Sequence, residues 1–139
     1  MIRRYSPDTV AAPVGAYSHL AAVSGPVEWV FISGQVGAGR DGVVPTYIGE
    51  QTRNTLRNIE VLIDAAGGTP ASIVRLMTFL VGPENMPAYA SARNAVLKRW
   101  FPEGDVPGHS LAIVAALAQP HLLVEIEGWI AVPFARDGP

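Results

Sequence analysis

The chain contains no cysteine in its 139 residues. Disulfides, thiolate nucleophiles and cysteine-held metals are thereby excluded. Charge is scarce as well. Asp, Glu, Lys and Arg supply 16% of the residues, against about 25% in an ordinary soluble domain. The signs nearly cancel, with 10 basic and 12 acidic side chains and a net charge of −2. No basic field draws nucleic acid or an anionic membrane. No apolar run approaches the roughly 18 residues that a membrane span requires. "MIRRYSPDTV" carries two arginines but no apolar stretch, so a secretory signal is not expected and a cytoplasmic protein is.

Several motifs are also missing. His19, His109 and His121 have no H-x-x-x-H spacing and no neighbouring ligand pair, so no metal site is expected. There is no G-x-S-x-G elbow, which argues against an α/β-hydrolase. Gly37 to Gly42 formally fits G-x-G-x-x-G, but Val43-Val44-Pro45 follows where a helix would have to open. That stretch reads as a connecting loop. With no repeat, charge block or linker, residues 1–139 are expected to form one domain.

Apolar residues make up 49% of the chain, enough for a core. "EWVFISGQ" (28–35), "SIVRLMTFLV" (72–81), "HSLAIVAAL" (109–117) and "LLVEIEGWIAV" (122–132) read as strands. "YSHLAAVSG" (17–25) adds a fifth. From about Ile48 the period becomes helical: Leu56, Ile59, Ile63 and Ala66 share a face, and Arg53, Arg57, Glu60 and Asp64 oppose them. Gly67-Gly68 ends that helix. A second helix follows Asn85, which can cap it, with Pro87 in its first turn and Tyr89, Val96, Leu97, Trp100 and Phe101 on its apolar side. The order is β-β-α-β-α-β-β. The short "AQPH" joint predicts that the last two strands form an antiparallel hairpin.

Two helices can cover one face of such a sheet. Its strands, however, are apolar on both faces. In "LLVEIEGWI", Leu122, Val124, Ile126 and Ile130 line one side, while Glu125, Glu127 and Trp129 line the other. An uncovered second face would be a larger apolar patch than soluble monomers usually show. Further copies of the chain are the expected cover.

An ordered set of segments carries a resemblance. "APVGAYSHLAAV" (12–23), "FISGQVG" (31–37), "EQTRNTLRNIEVLIDAAGG" (50–68), "VRLMTFLV" (74–81), "RNAVLKRWF" (93–101), "VPGHSLAIVAAL" (106–117) and "LVEIEGWIA" (123–131) span nearly the whole sequence. Together they resemble the reactive intermediate deaminase family, of RidA/YjgF type. The resemblance implies a chorismate-mutase-like α+β fold: a mixed sheet with two helices on one face, in a homotrimer with a central β-barrel. It implies active clefts between subunits and hydrolysis of enamines or imines to a carbonyl compound and ammonia, with no cofactor.

The family cleft uses a tyrosine from G-P-Y, a serine from S-G-Q, an arginine from P-A-R-S that holds a carboxylate, and a glutamate from E-I-E that positions water. Tyr17, Ser33 with Gly34, and Glu125 stand at the tyrosine, S-G and glutamate positions. The arginine is replaced by His109, and a frequent cysteine two residues later is Leu111. Imidazole lacks the permanent, bidentate charge of guanidinium, so the resemblance implies altered substrate specificity. The resulting candidates are Glu125, Tyr17 and His109 for catalysis, and Ser33, Gly34, His109 and Arg93 for substrate binding.

Plainer readings stand beside these. Glu125 and Glu127 could be solvated strand carboxylates. Tyr17 and Ser33 could pack or satisfy backbone, and His109 could be structural. Arg93 reads as a side chain with its stem on apolar surface and its head in water; supplying the charge missing at position 109 is the alternative. A non-catalytic metabolite-binding or regulatory trimer is the rival function, motivated by the absent arginine and cysteine. RNA cleavage, attributed to some relatives, gains nothing from the net negative charge.

Overall fold

The computed structural model describes residues 1–134. In order they form β1 (Ile2–Tyr5), β2 (Leu20–Val23), β3 (Val27–Val36), α1 (Ile48–Ala65), β4 (Ile73–Val81), α2 (Met86–Trp100), β5 (Gly108–Val114) and β6 (Val124–Pro133). β1 and β2 make a separate antiparallel pair, and the main sheet runs β3-β6-β4-β5. β6 is antiparallel to both neighbours, whereas β5 is parallel to β4. This is the mixed α+β architecture expected from the sequence.

Two expectations about connectivity fail. β5 and β6 are not a hairpin. Residues 115–123 carry the chain past β4, and β6 inserts between β3 and β4. The parallel β4-β5 pair instead follows from the helical crossover through α2. The turn chemistry of "AQPH" was real but local, and does not decide which strands pair. In addition, β2 has a partner that the pattern did not announce. β1 reads "IRRY", without apolar alternation. Arg4 fixes it. Its nearly buried guanidinium donates to Ala71 O at 2.8 Å and Ile73 O at 2.7 Å, meets Asp105 at 3.1 Å, and lies 5.0 Å from the Phe101 ring centre.

α1 buries Leu56, Ile59 and Ile63 completely, each worth about 1.5–3 kcal/mol of apolar transfer. It also buries Thr52 and Thr55, whose hydroxyls donate to the carbonyls of Ile48 and Gln51. The helix stops as predicted: Gly67 takes φ +81°, and Gly68 N donates to Ile63 O at 3.0 Å. At α2, Asn85 holds the N-cap position, but its amide donates back to Val81 O at 2.7 Å rather than serving as an acceptor for the helix.

Both helices pack on one sheet face, against Ile73, Leu76, Leu80, Val124, Ile126 and Ile130, all fully buried. The other face carries an aromatic cluster. Trp29, Phe31 and Trp129 remain 51%, 45% and 39% exposed, and the Trp129 ring lies 5.0 Å from Phe31 and edge-on to Trp29 at 6.4 Å. Among the described residues no helix is long and apolar enough to cross a membrane.

One buried polar side chain ties the loops to this frame. Gln51 donates to Pro45 O and His121 O at 2.8 and 3.0 Å and accepts from Leu123 N at 2.9 Å. Gln51→Leu removes three backbone partners, and each stranded group costs about 1–3 kcal/mol. Urea unfolding should therefore show a loss of about 3 kcal/mol or more; a loss near zero would show that water replaces these bonds.

Candidate functional site

The pleat of the sheet sorts the candidate residues into two groups. Glu125 pairs in register with Phe79, and His109 pairs with Leu76. Phe79 and Leu76 stand three residues apart on one regular strand, so they point to opposite faces. Glu125 therefore lies on the open face with Trp129, whereas His109 lies on the helix face. One chain does not bring them together.

The first group is built on an irregularity in β3. The β3-β6 register shifts between Ile32 and Gln35, leaving Ser33 and Gly34 as a bulge. A Cβ on Gly34 would lie 2.7 Å from the carboxyl carbon of Glu125. The carboxylate folds over the bare Gly34 backbone, and a side chain there would oblige it to turn away. Ser33 is exposed beside it, its carbonyl accepting from Gln35 Nε2 at 3.0 Å. Glu127 sits one pleat further along, opposite Met77.

The second group surrounds the start of β5. Ser18 N donates to Pro107 O at 3.1 Å, and Ser18 Oγ donates to Val106 O at 2.7 Å. These two bonds stitch the segment around Tyr17 to the lead-in of β5. The result is a cleft of about 360 Å³ lined by Tyr17, Ser18, His19, Arg75, His109 and Ser110, among others. Tyr17 Oη accepts a long bond from Val14 N at 3.4 Å, and its ring centre lies 5.8 Å from that of His19. A larger groove of about 570 Å³ lies between the two helices, lined by Arg53, Arg57, Glu60 and Arg99 over the small residues of α2. It contains none of the candidate residues.

Behind this cleft His109 enters a polar cluster that sequence patterns did not reveal. Its Nε2 lies 2.8 Å from Thr78 Oγ1 and 3.4 Å from Tyr89 Oη, and Thr78 and Tyr89 are 2.7 Å apart. Thr78 and Tyr89 are fully buried. His109 Nδ1 is enclosed and has no partner among the described residues. Burial, helped by the charges of Arg93 and Arg75, pulls the imidazole down to about 4. A charged His109 gripping a carboxylate is therefore not what this environment favours. Burial pushes the Tyr89 phenol up, against the opposing influence of Thr78 and Arg93, so it keeps its proton.

Arg93 corrects a second expectation. Its head is not in water: the residue is buried, its guanidinium carbon lies 5.2 Å from the Tyr89 ring centre, and Nε and Nη2 donate to Asn94 Oδ1 at 3.1 and 3.0 Å. Among the described residues no carboxylate lies within 4 Å of it. Thr78 was visible only as the polar residue of "RLMTFLV", and Tyr89 only as part of an apolar stripe. No three acidic or histidine side chains among the described residues converge where a metal ion could sit.

Comparison with known proteins decides the family. The model described as Endoribonuclease L-PSP matches residues 8–132. The chain belongs to the RidA/YjgF family. It is 29% identical over 131 residues to the 2-iminobutanoate/2-iminopropanoate deaminase of Rattus norvegicus, covering 91% of this chain and 88% of the relative. The protein of the same name from Dermatophagoides farinae is 26% identical over 86% of this chain and 88% of its own. A crystal structure of a conserved Rid family protein of unknown function from Yersinia pestis superposes with a TM-score of 0.81 at 31% identity, over 94% of this chain and 98% of that one.

The depressed His109 gives a signed pH dependence. The unfolded chain takes up this proton near 6.5, the folded chain only at about 4. Stability is complete above the unfolded value and falls as pH drops toward about 4, by about 3 kcal/mol at most. Urea midpoints measured between about pH 7 and 4.5 should decline less steeply in His109→Asn than in the native chain; parallel declines would remove His109 as the source.

Proposed function

We propose that three copies of this chain assemble around the open faces of their sheets, and that each cleft between copies hydrolyses an enamine or imine to a carbonyl compound and ammonia. The observation that carries this is the division of the candidate residues. Ser33, Gly34 and Glu125 lie on the uncovered face, while Tyr17 and His109 line a separate cleft at the start of β5, together with Arg75 and Ser110. A second copy that covers the Trp29, Phe31 and Trp129 cluster supplies one copy's carboxylate to the other copy's tyrosine and histidine. The deaminases named above give the reaction class its support.

The chemistry then follows from the groups available. An enamine must first gain a proton at carbon to become an imine. Water adds to the imine carbon, the nitrogen is protonated, and the carbon–nitrogen bond breaks to release ammonia and leave a carbonyl. Glu125 orients the water and accepts its proton. Tyr17 and Ser33 direct hydrogen bonds at the nitrogen-bearing end. Arg93 on α2 and Arg75 on β4, neither with a carboxylate within 4 Å among the described residues, supply the positive charges that act on position 109. The specificity of this cleft differs from one with an arginine at position 109, because its cations stand on β4 and α2 instead.

Freshly generated 2-aminoacrylate tests the simplest form, with ammonia and pyruvate as readouts. The native chain should accelerate release over buffer, and Glu125→Ala should lose about 100-fold or more while scattering still reports a trimer. A monomer in dilute solution, or full activity in Glu125→Ala, would remove the basis of the proposal. Tight binding of a keto acid without turnover is the outcome that favours the metabolite-binding trimer instead.

A further inference from the structure

Two cations act on the start of β5, and only one of them can be reached from the cleft. Arg93 is buried, its Nε and Nη2 engaged with Asn94, and it is not among the residues that line the cleft. His109 is closed to a ligand as well: Nε2 is engaged with Thr78, and Nδ1 is enclosed. Arg75 differs on each count. It is exposed, it lines the cleft with Tyr17 and Ser110, and among the described residues it has no carboxylate within 4 Å.

The pleat of β4 explains this position. Leu76, Thr78 and Leu80 are fully buried on the helix face. Arg75, one residue off that row, stands on the open face, in register with Trp129 of β6 and Gly108 of β5. Gly108 has no side chain. A Cβ there would lie 3.6 Å from Arg75 Cβ and 3.9 Å from Ser18 O, so the bare position leaves room between the arginine and the segment that carries Tyr17. On its other side Arg75 borders a hollow of about 500 Å³ with Trp29 and Trp129. Apolar indole walls lower the local dielectric and strengthen the pull of a guanidinium on an anion. Glu127, diagonal to Arg75 on the same face, lies more than 4 Å away and does not neutralise it.

We propose that Arg75 is the anion-binding residue of this cleft, and that it selects ligands bearing a carboxylate over neutral ones. Guanidinium offers a planar fork that matches the two carboxylate oxygens. An acid anchored there lies in the cleft that Tyr17 lines, on the sheet face from which a covering copy brings its Glu125. This deepens the hydrolase proposal by assigning what holds the anionic end, and it rests on that proposal only for the identity of the ligand. Arg75 acts in binding and specificity and passes no proton.

Pyruvate serves as a non-reacting anionic carbonyl probe and pyruvamide as its neutral counterpart, each titrated calorimetrically into the full-length protein. The native chain should prefer pyruvate. Arg75→Gln should weaken pyruvate by about tenfold or more and leave pyruvamide within about twofold. Arg75→Lys, which keeps the charge without the fork, should recover part of the loss. In ¹⁵N–¹H correlation of the arginine side chains, with Arg75→Lys assigning the signal, pyruvate should shift Arg75 Nε–H while those of Arg53 and Arg57 on α1 stay in place. A native chain without preference for pyruvate, an unmoved Arg75 signal, or a pyruvate affinity unchanged in Arg75→Gln would overturn the assignment. So would equal weakening of both probes in Arg75→Gln with a lower scattering mass, which would make Arg75 an interface residue. If Arg75→Gln fails to fold, the native preference and the native spectrum still decide. Turnover enters none of these measurements. A chain that binds pyruvate through Arg75 yet hydrolyses no imine keeps this assignment and loses the hydrolase, and the reverse is equally visible.

Discussion

Strand β6 is hydrogen-bonded on both sides, to β3 and to β4, and so fixes both faces of the sheet at once. Its pleat leaves no freedom. Val124, Ile126 and Ile130 enter the core with no exposed surface, which obliges Glu125, Glu127 and Trp129 to face the other way. A slip of one residue would exchange the two rows and drive two carboxylates under the helices. The desolvation of unpaired carboxylates far exceeds what a register can tolerate. Gly128 is part of the same constraint. A Cβ there would lie 2.7 Å from Arg75 O and 2.8 Å from Leu76 Cδ2, so β4 and β6 approach closely only because that position is bare.

This constraint carries over to the candidate groups, because most of them are placed by strands rather than by loops. Glu125 is held by the central strand and by its packing on the Gly34 backbone. His109 is held by the edge strand and by Thr78 of its neighbour. Tyr17 is the exception, since it lies in an irregular segment. Two bonds from Ser18 to the backbone before β5 supply the missing rigidity, and Arg4 anchors the small β1-β2 sheet that continues that segment. Arg4 thereby helps hold the segment that carries Tyr17 against the sheet.

Local signals made most of the elements legible. β-branched and aromatic runs marked β3, β4 and β6, three-and-four spacing marked α1, and Gly67 marked its end. The outward row of β6 was legible for the same reason, because period two is a property of the segment itself. What escaped was non-local. β1 has no pattern of its own and exists through Arg4, whose partners are about seventy and a hundred residues away in sequence. The β4-β5 pairing depends on where a helix returns the chain, not on the turn that follows. Gln51 and Thr78 carried no signal of their own, and Tyr89 read only as part of an apolar helix side. Their roles are defined by backbone groups or side chains distant in sequence. Arg93 looked like a surface cation because a single helix does not reveal that β5 will close over its cluster.

An arginine at position 109, where this chain has histidine, would change where charge is stored. A guanidinium on β5 would enter a cluster that already feels Arg93 and Arg75, with no carboxylate within 4 Å of either among the described residues. Like charges repel more strongly where water is excluded. It would also have no acceptor in Thr78 beyond one oxygen already engaged with Tyr89. An arginine at position 109 would therefore add a third cation to those that already act there. The neutral imidazole that burial and these two arginines favour leaves the buried cation on the helix without a further like charge beside it.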